Sequence, residues 1–137
     1  MQTIITYFTL LLTGLFMHGQ NTIEVSMSGF DSNDGTAMIA VYDSEENFLE
    51  KRLLGEISEI ENNEAKVTFS DVPDGMYAVS VFHDEDDNGK LNMMMGFYPS
   101  EATGTSNNAP ARFGPPKWED AKFEVKNGQH INQQIKL

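Results

Sequence analysis

Asp84, Asp86 and Asn88 place oxygen-bearing side chains at every second position of one short stretch, and Gly89 directly after them permits a sharp bend. A hard divalent cation requires that arrangement: several oxygens at about 2.3–2.6 Å, supplied by a loop whose backbone folds around the ion. Set along a twelve-position calcium loop, Asp84 takes position one, Asp86 three, Asn88 five and Gly89 six. Lys90 offers its backbone carbonyl at seven, and Asn92 falls at nine. Position twelve is Met95, which supplies no carboxylate, and the flanking sequence does not read as helix, so the loop is not an EF-hand. The reading is a Ca²⁺ loop on a β scaffold, held by Asp84, Asp86, Asn88, Lys90 and Asn92, with Glu101 returning as the missing carboxylate. Asp87 is an alternative outer ligand, and Glu85 is expected to alternate outward. The competing reading is an acidic surface turn without metal, because Asp, Asn and Gly favour turns by their own chemistry.

Other chemistries are weaker in the sequence. Met93, Met94 and Met95 are thioethers that suit Cu(I), with Met76 or His83 assisting, but consecutive strand residues cannot all face one ion. Methionines also fill gaps between sheets. His83 beside Asp84 has the residue types of a general base; a strand-end histidine bonded to its neighbour is the plainer reading. Asp84 or Asp86 with Glu101 would make a glycosidase pair, yet carboxylates are abundant enough here to pair by chance. No serine stands in a Gly-x-Ser-x-Gly setting, and no cysteine exists to act as a nucleophile or to form a disulfide. Phe97, Tyr98, Phe113 and Trp118 bracket a long segment and would serve either a carbohydrate- or protein-binding face or the closure of one end of the fold. Ser106-Asn107-Asn108 offers amides and a hydroxyl for a polar contact or for pinning that segment.

Strands must position these groups. Ile23, Val25 and Met27 alternate with polar neighbours over Thr22–Phe30, and Asp31-Ser32-Asn33-Asp34-Gly35 is a turn cluster. Thr36–Tyr42 is apolar on both faces, as a central strand would be. Residues 45–64 fit a short helix or an edge strand with loops. Ala65–Ser70 alternates, with Val67 and Phe69 on one face, and Asp71–Gly75 turns the chain into Met76–His83. There Tyr77, Val79, Val81 and His83 alternate with Met76, Ala78, Ser80 and Phe82, so a rigid strand delivers Asp84. The glycine-, proline- and asparagine-rich segment 96–116 is longer than an ordinary connection. Trp118–Lys126 and Gln129–Leu137 flank Asn127-Gly128, a strong local hairpin signal. Short strands throughout predict an all-β chain: an antiparallel β-sandwich of about seven strands.

The composition limits the partners. Ile4–Met17 is a largely apolar run, and no charged side chain precedes Glu24; its length fits the core of a secretory signal and falls short of a membrane span. Residues 1–20 are therefore expected to be a signal peptide cleaved near Gly19 or Gln20, leaving 21–137 as one β-sandwich domain with no transmembrane segment. With 21 acidic against 9 basic residues the net charge is −12, which repels nucleic acid and anionic lipid and attracts cations.

Pro73-x-Gly75-x-Tyr77-x-Val79 resembles the strand-entry motif of transthyretin-like and immunoglobulin-like sandwiches, in which the tyrosine packs at a sheet corner. A longer pattern runs from Gly75-x-Tyr77-Ala78-Val79-x-Val81-Phe82-His83-Asp84-Glu85 through Asn88-Gly89-Lys90-Leu91 and Gly96-x-x-Pro99-x-Glu101. It continues with Gly104, Ser106-Asn107-Asn108 and Gly114-Pro115-Pro116-x-x-x-Asp120-Ala121. This resembles the exported bacterial domain-of-unknown-function family 2141 over most of residues 23–137, and the start of the chain is similar to exported proteins of Bacteroidota. The resemblance implies a small sandwich in the periplasm or at the cell surface, and brings no activity. Asn92 stands where that family commonly has aspartate, which keeps an oxygen but removes a charge. The functional expectation is a non-enzymatic envelope module with a Ca²⁺ loop, engaged in recognition of an envelope protein or a carbohydrate. The alternatives are a subunit of an outer-membrane protein complex and a carbohydrate-processing enzyme.

Overall fold

Alternation decides the faces of the long strands. Asn21–Ser28 (β1) buries Ile23, Val25 and Met27, and Thr36–Tyr42 (β2) buries Ala37, Ile39 and Val41. Gly75–Asp84 (β5) buries Tyr77, Val79, Val81 and His83. The structure, a computed structural model, describes residues 21–87, 93–94, 98–99, 102–111 and 113–137. The expected signal segment 1–20 lies outside them.

Leu54–Glu59 (β3), Glu64–Val72 (β4), Met93–Met94 (β6), Tyr98–Pro99 (β7) and Thr103–Thr105 (β8) follow. A short helix, Trp118–Ala121 (α1), precedes Phe123–Val125 (β9) and His130–Lys136 (β10). One sheet has the order β10-β1-β4; the other has β3-β2-β5-β8, with β9 also pairing β5. These eight strands form an all-β two-sheet sandwich, and β6 and β7 make a separate two-stranded ribbon. The core between the sheets joins Ile23, Val25, Phe69, Val72 and Ile135 to Ile39, Val79, Val81 and Val125. The central place expected for β2 is found, and the ambiguous 45–64 region resolves into a turn followed by the edge strand β3.

Two expectations are corrected. Asn127-Gly128 does form a tight turn, with both residues at positive φ and the Gln129 amide donating to the Lys126 carbonyl at 3.2 Å. It does not close a hairpin: β9 pairs β5 in one sheet, while β10 pairs β1 in the other. The reason lies at residue 129, whose amide donates to the Asn21 side chain and whose carbonyl accepts from Thr22. Those bonds start β10 alongside β1 in parallel register, so the sandwich is not wholly antiparallel. Trp118, expected at the head of a strand, begins α1 instead.

Tyr77 sits at the sheet corner, its hydroxyl donating to the Pro73 carbonyl at 2.6 Å. Burial, with Asp43 and Asp74 nearby, pushes that phenol above its ordinary range. Beyond the corner, Ser106-Asn107-Asn108 pins the two sheets together. The buried Ser106 Oγ accepts from the Val79 amide at 2.9 Å and donates to the Ala121 carbonyl at 2.7 Å. Asn107 and Asn108 reach β10 through Gln133 and the Lys136 amide.

On the outer face of the three-stranded sheet, Glu24 accepts from Lys66 at 2.8 Å, His130 at 3.0 Å and Asn132 at 3.0 Å. The Lys66 ammonium first, and His130 second, hold this carboxyl below its ordinary value of 4.5. A depressed carboxyl stabilises the fold above its unfolded value, and that contribution disappears as pH falls through the folded one. Acid titration of thermal stability, beginning near pH 4.5, should therefore fall more steeply for the wild type than for Glu24→Gln. Parallel curves would remove this assignment.

Candidate metal centre

β5 carries the chemistry to one end of the sandwich. His83 faces the interior, Asp84 faces the opposite side, and the chain then turns with the Asp87 amide 3.4 Å from the Asp84 carbonyl. The turn 31–35 lies directly against it. β2 starts there with Thr36 opposite Asp84, and the Thr36 hydroxyl donates to Asp87 Oδ1 at 3.3 Å. Gly35 has φ +69°, and a Cβ there would overlap the Asp84 carbonyl oxygen. A third turn joins them, since the Asn63 amide donates to Asn33 Oδ1 at 2.8 Å. Together the turns 31–35, 61–64 and 84–87 bring Asp31, Asp34, Glu61, Glu64, Asp84, Glu85, Asp86 and Asp87 to one end, with no Lys or Arg among them. Such an end concentrates cations.

Within it, Asp84 is buried at 2 % exposure, whereas Asp86 and Asp87 are exposed. The other predicted ligands, Asn88, Lys90, Asn92 and Glu101, lie outside the described residues, as does Met95. Among the described residues, no three His, Asp or Glu side chains form a group able to hold a metal ion. Glu85 lies on the His83 side of the strand, its Oε1 3.5 Å from His83 Nδ1, away from the Asp84 side as alternation requires.

The remaining candidates separate on geometry. Of the copper candidates, Met93 and Met94 form β6, and their side chains, like Met95, lie outside the described residues; Met76 and His83, the alternative helpers, stand near opposite ends of β5, roughly 23 Å apart at about 3.3 Å per residue. His83 is fully buried, with Nε2 2.6 Å from the Asp34 carbonyl and Phe30 edge-on at 5.2 Å. The bracketing aromatics part company. Trp118 is half-buried and stacks edge-wise on Phe48, which does the same on Tyr42, closing one end of the outer face. Phe113 is fully exposed. The side chains of Phe97 and Tyr98 lie outside the description. The role of Ser106-Asn107-Asn108, left open by the sequence, is resolved as pinning. What the sequence missed is how His83 is held, with a hydrogen bond on Nε2 and none on the buried Nδ1. Its partner on Nε2 is a backbone carbonyl 49 residues away, for which side-chain types carry no signal.

The sequence model of a family described as "Uncharacterized protein conserved in bacteria (DUF2141)" matches residues 25–133, from β1 to the middle of β10. No curated protein matches the chain. No helix among the described residues is long and apolar enough to cross a membrane.

Proposed function

The chain belongs to this uncharacterised bacterial family, and from that premise we propose that it is an exported, non-catalytic β-sandwich module of the cell envelope whose acidic end binds Ca²⁺. The observation that carries the reading is the convergence of three acidic turns around the end of β5, where Asp84 is buried beside exposed Asp86 and Asp87. Oxygen-only donors of high negative charge favour a hard cation, and a loop cage suits Ca²⁺ better than Mg²⁺, which keeps several of its waters. Export rests on the apolar run of residues 4–17.

Titration calorimetry tests the site directly. Extracellular Ca²⁺ modules bind with Kd on the order of 0.1–1 mM. At about 100 Kd the bound ion would add roughly 2.7 kcal/mol, on the order of 10 °C in melting midpoint for a domain of this size. Asp84→Asn and Asp86→Asn should each reduce that gain. No heat and no shift in 10 mM Ca²⁺ would remove the calcium reading.

A second reading, a subunit of an outer-membrane protein complex, is favoured by β3. This edge strand exposes Ile57 at 62 % beside a groove of about 560 Å³ lined by Met38, Gly55 and Phe82. Co-migration with a large membrane protein after gentle extraction would select it; a lone small species in the soluble fraction would not.

A further inference from the structure

His83 has a problem that the proposed Ca²⁺ loop does not solve. Its Nε2 stands 2.6 Å from the Asp34 carbonyl oxygen, which can only accept, so Nε2 carries the proton. In the neutral ring Nδ1 is then a lone pair. That atom is buried and makes no hydrogen bond. A polar atom buried without a partner destabilises the fold unless something supplies one. Its charged neighbour is Glu85 Oε1 at 3.5 Å, an oxygen that also presents lone pairs and lies beyond the usual N–H···O range of about 2.7–3.2 Å.

We infer that His83 Nδ1 and Glu85 Oε1 are two ligands of a second cation site, taking a borderline ion of the Zn²⁺ class. Three features meet in this pair. Two ligands about 2.1 Å from a tetrahedral Zn²⁺ are about 3.4 Å apart, which matches the observed separation. Metal-bound histidines characteristically donate their other ring N–H to a backbone carbonyl or carboxylate, which fixes tautomer and ring plane; Asp34 does this here, and the edge of Phe30 packs against the ring. Imidazole nitrogen selects Zn²⁺, Cu²⁺ or Ni²⁺ over Ca²⁺ and Mg²⁺, so the site differs in kind from the oxygen loop. Glu85, whose side chain is 44 % exposed, supplies the approach from solvent, and water fills the remaining positions. Because His83 and Asp84 leave β5 on opposite sides, both sites can be filled at once, and the inference stands whether or not the loop binds calcium.

The test is a Zn²⁺ titration of the purified, chelator-treated protein, labelled with ¹⁵N at histidine, in buffer containing excess Ca²⁺. The expected result is one equivalent of Zn²⁺, a large shift of the His83 Nδ1 resonance, and retention of the Nε2 proton. Glu85→Gln, a change at an exposed position, should weaken binding at least about tenfold. His83→Gln should abolish it; should that variant fail to fold, Glu85→Gln and the Nδ1 resonance still decide. Zn²⁺ that perturbs only His130, affinity unchanged in Glu85→Gln, or a proton on Nδ1 that Zn²⁺ does not displace would each overturn the site. Loss of the Ca²⁺ heat with the Zn²⁺ response intact would count against the oxygen loop alone.

Discussion

Replacing Ser106 by alanine is expected to lower the melting midpoint by roughly 10 °C, the equivalent of about 2–4 kcal/mol. The magnitude follows from what the hydroxyl joins. β8 pairs β5 at Ser80–Phe82 and β9 pairs it at Gly75–Tyr77, which leaves the β5 edge without a ladder partner at Ala78 and Val79. Ser106 Oγ fills that gap for the Val79 amide, and its own proton goes to the Ala121 carbonyl at the end of α1. Alanine removes both bonds at a fully buried position and leaves a donor and an acceptor stranded, each at about 1–3 kcal/mol. Asn108→Ala is the matched control. Its bonds to Gln134 and Lys136 are exposed, so water replaces them and the loss should stay near 1 kcal/mol, most of it alanine's cost at the positive φ of 48°. Thermal unfolding followed by circular dichroism measures both, and a Ser106→Ala midpoint within 2 °C of the wild type would show that water occupies the gap.

That network also marks where the sequence stops being informative. The buried faces of β1, β2 and β5 were legible because period-two alternation is a property of side chains: Ile23, Val25 and Met27, or Tyr77, Val79 and Val81, declare themselves. The position of Asp84 at a strand end was legible for the same reason, whereas the tyrosine corner was implied by the resemblance of Pro73-x-Gly75-x-Tyr77-x-Val79 to a strand-entry motif. Ser106 reads only as a polar residue, because its partners are backbone atoms of residues 27 and 15 positions away, and backbone atoms are alike in every residue. The Asn127-Gly128 turn shows a different limit. Its residue types fix a chain reversal, with both residues at positive φ, but not which strand receives the chain afterwards. That choice was made by Asn21 and Thr22, more than a hundred residues earlier. At the candidate site the carboxylates were visible one by one. Their assembly from three turns depended on Asn33 meeting the Asn63 amide and on Gly35 admitting the Asp84 carbonyl, and neither contact has a sequence signature.

Gly35 is the position where the acidic end should be most vulnerable. Its φ of +69° costs an alanine about 1 kcal/mol, a modest loss that many turns tolerate. The larger effect is steric. Any Cβ would overlap the Asp84 carbonyl oxygen and come within 2.8 Å of Glu85 Cα, and both obstacles are backbone, which cannot rotate aside. Relief requires the turns 31–35 and 84–87 to separate, breaking the contact between His83 Nε2 and the Asp34 carbonyl and the Thr36–Asp87 bond on the way. With the left-handed φ at about 1 kcal/mol, overpacking at about 1–3 kcal/mol and the unmade part-buried bond at about 1–3 kcal/mol, the total should reach roughly 3–7 kcal/mol. Gly35→Asn separates the two causes. Asparagine accepts left-handed backbone far better than alanine, so it would restore stability if φ were the whole difficulty, whereas a clash at Cβ makes it as damaging as Gly35→Ala. Amide hydrogen exchange should show lost protection at residues 34–37 and 82–85 in both variants, with β1 and β4 protected as in the wild type. The responses to Ca²⁺ and to Zn²⁺ should fall together in either variant, since the same close approach holds Asp84 on one side of β5 and His83 on the other. A stable Gly35→Asn that keeps both responses would mean that the turns do not need this contact to stay joined.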